Sequence, residues 1–228
     1  MNYDEEAPFE IAQYREMQKA LPGVEALYSL MLAQIEIALP AGGQVLVVGA
    51  GGGREVEALL ASEIPFDVVG VDPSNDMLDI ARWYSQQSER PEKAKLIQGL
   101  TKDVPRPDGG FDAATSVLVM HFLPDDDSEG GKLAYLKSIR ERLKPDGLII
   151  HADVSFETNH ADIAPVFLRH ARLAGLPEET MSAAPKAIST MPIIGTSRLA
   201  DLYKSAGFSL PELFFQTLWY RAWYARAV

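Results

Sequence analysis

Cysteine is absent from the 228-residue chain. Disulfides, thiolate metal sites and a cysteine nucleophile are excluded together. Positive charge is in short supply: 21 Lys and Arg stand against 32 Asp and Glu, a formal net charge of −11. A surface that negative repels phosphate backbones and anionic lipid, which argues against direct nucleic-acid binding. Long apolar runs are missing too, and none approaches the ~18 residues of a membrane span. The opening MNYDEEAPFE (1–10) has neither a basic cluster nor an apolar stretch. No signal peptide is therefore expected, and the cytoplasm is the expected location. Internal repeats and low-complexity tracts are also lacking.

Apolar residues make up 47% of the chain and charged residues 23%, the proportions of an ordinary globular protein. This length suits one α/β domain spanning 1–228. Short apolar runs alternate with helix-like stretches. Strands are expected at Gln44 to Gly49, Asp67 to Asp72, Ala94 to Gln98, Phe111 to Leu118 and Gly147 to Asp153. Helices are expected at Arg54 to Ser62, at Asn75 to Ser88 with Ser74 as cap, and at Lys132 to Leu143. Pro145-Asp146-Gly147 reads as a turn. The alternation implies a mostly parallel sheet with helices on both faces.

Two segments break the rhythm. Phe9 to Leu39 reads as a helical arm, within residues 1–40, broken at Pro22-Gly23. Val154 to Gly195 holds four prolines and no strand pattern, so it reads as a helical insertion. Insertions at the carboxyl ends of parallel strands sit where ligands bind. Ser197 to Ala206 reads as a helix. Phe208 to Val228 holds seven of the twenty aromatics, which suits a terminal hairpin packed into the sheet.

The first chemical signal is Gly49-Ala50-Gly51-Gly52-Gly53, after a strand and before a helix. Glycines there permit positive φ and let backbone amides approach a ligand, with a helix N-terminus behind them. Asp72 ends the next strand, where a carboxylate can accept both ribose hydroxyls of an adenosine. The pair indicates a nucleoside-containing cofactor. A tight turn plus a solvated strand-end acid is the plainer alternative. Arg54 stands where a dinucleotide motif places its third glycine, which disfavours a nicotinamide dehydrogenase.

At these residues the chain resembles the class I S-adenosylmethionine-dependent methyltransferases. The matching pieces, in order, are VLVVGAGGGRE (45–55), VVGVDPSNDML (68–78), LIQGLTKDVP (96–105), FDAATSVLVMHFL (111–123), LKPDGLII (143–150) and LYKSAGFSLPELFFQ (202–216). The resemblance implies a Rossmann-like sheet of seven strands, the last antiparallel, and S-adenosylmethionine as cofactor. It implies that Gly49, Ala50, Gly51 and Gly53 shape the loop under the methionine half and that Asp72 holds the ribose. Pro73 and Met77 would flank the adenine. Leu100 and Thr101 would offer backbone groups to its edge, and Val117 and Leu118 would line the methyl side. Two positions depart from the family. Val47 replaces an acid two residues before the first glycine, so the cofactor's amino group must rely on backbone carbonyls, such as those of Gly49 and Val117, or on another carboxylate. Leu100 stands where the family often has an aspartate facing the adenine amino group. These two losses leave open a non-catalytic binding module.

Within the superfamily, LPGVEALYSLM (21–31), GLPEET (175–180) and AGFSLPELFFQ (206–216) look similar to carboxy-S-adenosylmethionine synthases, which act in transfer-RNA modification. There, too, key positions differ. Val24 replaces a tyrosine that Tyr28, one helical turn on, can stand in for. Lys186 takes the place of the arginine that holds the extra carboxylate, without its bidentate fork. An ordinary methyltransferase is therefore the preferred expectation and the synthase the second.

Methyl transfer from a sulfonium mainly asks the protein for alignment and exclusion of water. His121, just past the fourth strand, is the candidate base for an oxygen or nitrogen nucleophile; a hydrogen-bonding role at the junction is the alternative. His151 reads as a satisfied core residue. Glu157 and His160 have a metal-ligand spacing, but no second pair completes a site, so no metal is expected. Arg169 and Lys186 in the insertion can steer a small acidic substrate, or form an ordinary charged surface. Asp125-Asp126-Asp127 reads as a solvated loop. A small-molecule substrate is the expected partner; a homodimer stays open.

Overall fold

The computed structural model describes residues 21–157, 162–177 and 188–228, with Gln18, Met181, Pro185 and Lys186 besides. Seven strands form one sheet in the order β3-β2-β1-β4-β5-β7-β6. Their ranges are β1 Gln44–Val48, β2 Asp67–Asp72, β3 Ala94–Gln98, β4 Phe111–Val117, β5 Leu143–Val154, β6 Glu212–Thr217 and β7 Tyr220–Arg226. The first five pair in parallel. β7 runs antiparallel to both β5 and β6. The chain leaves β1 in one direction to β2 and β3 and in the other to β4 and β5. That reversal falls at the carboxyl ends of β1 and β4, where open α/β sheets form a ligand crevice.

Alternation along each strand sorts the core into two layers. Val45 and Val47 of β1, Ala113 and Val117 of β4, and Ile150 of β5 face one side. They pack there on α1 (Val24–Ala38), α2 (Arg54–Ala61) and α3 (Asn75–Gln87) through Met31, Ile35, Val56, Leu59 and Leu78. Leu46, Val48, Ala114 and Ile149 face the other side. They meet Leu136, Ile139, Leu199, Leu202 and Tyr203 of α4 (Lys132–Arg142) and α6 (Thr196–Ala206). A third apolar group lies past the end of β5. It joins Val154, Trp219 and Tyr220 to Phe167 and Ala171 of α5 (Ala164–Leu173), and to Leu176, Met181 and Ile188. Among the described residues no helix is long and apolar enough to cross a membrane.

α1 begins after Gly23, whose φ of 77° turns the chain at the expected break; residues 1–17 of the expected arm lie outside the described residues. Ser74 Oγ caps α3 by accepting from Met77 N–H at 3.2 Å. The fifth strand corrects the sequence reading, because it starts at Leu143 and contains Pro145-Asp146-Gly147. Along β4 the register passes from Phe111–Leu143 to Ala113–Leu148, so the three residues form a bulge in the strand. Asp146 takes φ 60°, a conformation that a short polar side chain tolerates. The chain end holds the bulge: Asp146 N–H donates to Ala227 O, and Ala227 N–H to Gly147 O, both at 2.9 Å. The aromatic hairpin is β6–β7, with Trp219 and Trp223 fully buried.

Candidate active site

The crevice is floored by the glycine loop between β1 and α2. Gly49 N–H and Ala50 N–H both donate to Val71 O, at 2.8 and 3.0 Å. Gly53 N–H donates to Ala50 O at 3.0 Å, and Gly51 N–H to Asp72 Oδ2 at 2.9 Å. These amides therefore point into the protein, which corrects the expectation that they would reach a ligand. A loop so arranged keeps these four N–H groups from a ligand. It suits a cationic or neutral ligand half better than a pyrophosphate, which would need free N–H donors.

Asp72, at the end of β2, joins the loop to the next crossover. Besides Gly51 it accepts from Ser74 N–H, at 2.9 Å on Oδ1. A carboxylate can accept about four hydrogen bonds, so the same group can fix the loop and receive a ribose hydroxyl. Gly51 has to be glycine here: a Cβ would sit 2.8 Å from both Asp72 Oδ2 and Met77 Cβ. We expect Gly51→Ala to swing the Asp72 carboxylate aside, weakening nucleoside-cofactor binding about tenfold, or ~1.4 kcal/mol. Titration calorimetry beside a melting curve checks this, with the melt moving little.

The residues expected around an adenine follow β2 and β3. Met77 is half-buried beside Gly51, and Pro73 O accepts from Gln98 Nε2 at 3.4 Å. Thr101 is buried and Leu100 exposed. Leu100 N–H is engaged by Asp103 Oδ2 at 2.9 Å, so it is not the free donor that the sequence suggested. Asp103, unremarked in the sequence, is the carboxylate on this side. Of the two residues expected to line the methyl side, Val117 closes β4 in the core. Leu118 takes φ 58° and donates its N–H to Ala152 O at 2.8 Å. Left-handed backbone in a leucine is strained, and such strain concentrates at functional sites. Tyr28 is buried on α1, with the Arg54 guanidinium 4.8 Å from its ring centroid. Arg54 Nη2 also donates to Glu25 Oε1 at 2.6 Å, so α1 is fastened to the residue that follows the loop.

His121 lies in the short helical turn Met120–Phe122 after β4 and is buried. Its backbone N–H donates to Asp153 Oδ2 at 3.0 Å, and its Nδ1 lies 2.5 Å from Asp153 Oδ1. An ionised carboxylate only accepts, so Nδ1 carries a proton, and in the neutral form of the ring the lone pair is on Nε2. Burial alone would raise the Asp153 carboxyl. The facing His121, with a smaller contribution from His151, overrides it and holds the group well below the usual carboxylate range. Lys132 Nζ donates to Met120 O and Leu123 O, at 2.7 and 2.6 Å, and so grips both ends of the turn. Burial lowers its pKa, opposed by Asp153 and Asp125.

Other candidates fall elsewhere. Arg169 and Lys186 are exposed on the insertion, and no described contact brings either to the crevice. His151, expected to be satisfied, has no hydrogen bond on either ring nitrogen among the described residues. Its Nε2 lies 3.5 Å from Asp153 Oδ2, and its ring packs between Tyr203 and Trp223. Asp125 is not simply solvated, since both its oxygens accept from Arg198. Glu157 Oε1 accepts from Thr196 N–H at 2.5 Å and so caps α6, while His160 lies outside the described residues. Among the described residues no group of three acidic or histidine side chains could hold a metal. The sequence reading missed Glu55, Lys132 and Asp153. Only Asp153 carried a signal, an acid closing an apolar strand beside the one that leads to His121.

Residues 45–147 match the model of a family described as a methyltransferase domain. An uncharacterized methyltransferase of Bacillus subtilis is 30% identical over 113 residues, which are 48% of this chain and 40% of that protein. A fatty-acid O-methyltransferase of Mycolicibacterium smegmatis is 28% identical over 127 residues, 56% of this chain and 42% of its own length. The chain thus spans less than half the length of both relatives. Among solved structures, a SAM dependent methyltransferase from Aquifex aeolicus superposes with a TM-score of 0.63 at 17% identity, covering 96% of this chain and 100% of that one. That likeness is one of fold.

Proposed function

We propose that the chain is a class I S-adenosylmethionine-dependent methyltransferase and that it methylates an oxygen or nitrogen of a small-molecule acceptor. The observation that carries this reading is the joint of the glycine loop and Asp72, whose geometry fits the cofactor. The loop's amides turn inward, away from any pyrophosphate, and Asp72 stands at the end of β2 with acceptor capacity for a ribose. When bound, S-adenosylmethionine supplies a methyl group already activated on a sulfonium. The chain's own part is to align the acceptor, exclude water and take up a proton. His121 Nε2 would receive the proton that the acceptor's oxygen or nitrogen gives up on methylation. Asp153 and Lys132 are positioning residues for that imidazole. Leu118 and the apolar group around Phe167 and Trp219 favour an acceptor with an apolar portion, in keeping with a fatty-acid O-methyltransferase among the relatives.

The carboxy-S-adenosylmethionine synthase reading is the weaker, because Lys186, its holder for the extra carboxylate, is exposed. A cytoplasmic location and a partner other than nucleic acid fit the acidic charge. Mass spectrometry of small molecules released from freshly purified protein tests the assignment. We expect S-adenosylmethionine or S-adenosylhomocysteine; a carboxylated adduct would favour the synthase. Protein that arrives empty and binds neither compound on titration would remove the enzyme assignment.

A further inference from the structure

Glu55 is the second residue of α2, directly behind the glycine loop. Helix-start acids ordinarily face solvent, yet Glu55 is 3% exposed. Its carboxyl group accepts from the backbone N–H of Val117, at the end of β4. Its Oε1 has no hydrogen-bond partner among the described residues. A buried carboxylate oxygen left unpaired is costly and calls for an explanation.

Among the described residues no cation pairs with it. The Arg54 guanidinium is drawn toward α1 by Glu25 and the Tyr28 ring, and Lys132 is committed to the carbonyls around His121. In the loop beside Glu55 the N–H groups of Gly49, Ala50, Gly51 and Gly53 are all engaged elsewhere, so none of them pairs with Oε1. A buried acceptor without a donor defines a place for a cationic group. Position 47, on the neighbouring strand, is valine and buried, so no acid competes for that group from β1.

We propose that Glu55 is the anchor for the ammonium of the cofactor's methionine half. This rests on the cofactor assignment above. The charged groups facing Glu55 agree with it. Burial, then the nearby Asp72, push its carboxyl up to about 8 against the Val117 amide and Arg54. At neutral pH without ligand it is therefore mostly protonated, and an arriving ammonium favours the carboxylate. Binding should release a proton, and affinity should rise with pH toward about 8.

The test is titration calorimetry with S-adenosylhomocysteine, which carries the ammonium, and with 5′-methylthioadenosine, which has the nucleoside without it. At pH 7, heats in buffers of different ionisation enthalpy should report nearly one proton released for the first ligand and none for the second. Glu55→Gln should weaken the first about tenfold or more and abolish its proton release, while binding the second as the wild type does. Equal affinity of Glu55→Gln for S-adenosylhomocysteine, or no proton release in the wild type, would overturn the proposal and leave the cofactor assignment standing. A wild type that binds neither ligand removes both.

Discussion

Asp72→Ala should deprive the protein of its cofactor while leaving most of the fold. Hydrogen bonds to a charged group are worth ~1.5–3 kcal/mol each. Losing two to a ribose therefore predicts a fall in affinity of about 100-fold or more. The variant also takes the acceptor from Gly51 N–H and Ser74 N–H. Both amides lie at the edge of the crevice, so the loop should loosen locally while the sheet melts nearly as before. Asp72→Asn separates the two effects, since it keeps an acceptor oxygen for the loop and loses the charge. Affinity within about threefold of wild type in both variants would show that the ribose is held elsewhere.

The second large effect belongs to Asp153 and His121. Leaving a buried donor without its acceptor typically costs ~1–3 kcal/mol, and Asp153→Ala strips the acceptor from His121 N–H, His121 Nδ1–H and Val154 N–H, so it should lower the melting midpoint by several degrees. The sign with pH follows from the depressed carboxyl. Its stabilisation is fully present above the unfolded carboxylate pKa of ~3.9 and is lost as pH falls toward the lower folded value. The wild type should thus destabilise steeply below about pH 4, and Asp153→Asn should flatten that limb. His121→Asn tests the chemistry separately. If Nε2 is the base, kcat should fall ~10²–10⁴-fold with KM little changed. An unchanged kcat would demote His121 to the support of its turn.

The parts of this site legible in the sequence are those written locally. The strand–glycine–helix spacing and the acid at Asp72 lie within one βαβ unit, and an apolar run closed by a special residue marks each. Glu55, Lys132 and Asp153 were not legible, for a common physical reason. Each is a charged residue buried by partners distant in sequence; Asp153 and His121 are 32 residues apart. At the start of a helix, Glu55 and Lys132 have the composition of solvated surface. Only the packing of β4 against α2 and α4 reveals otherwise. On the insertion, Arg169 and Lys186, candidate substrate holders in the sequence, are both exposed. The direction of the loop's amides was also beyond reach, because glycine licenses the turn without saying which way its N–H groups point.

Leu118 bears on how such a protein can change. Among the described residues it is the one side chain shared between the apolar layer beneath the cofactor crevice and the group built from α5 and the hairpin turn. Its backbone is held by a central strand neighbour, not by the insertion. The two apolar groups therefore meet at Leu118, while Ser155 N–H, donating to Trp219 O, ties the end of β5 to the hairpin turn. In the proposed methyltransferase, a change confined to the group of α5 and the hairpin turn reaches the donor side through Leu118, so acceptor choice can vary with little change to the part that holds the methyl donor.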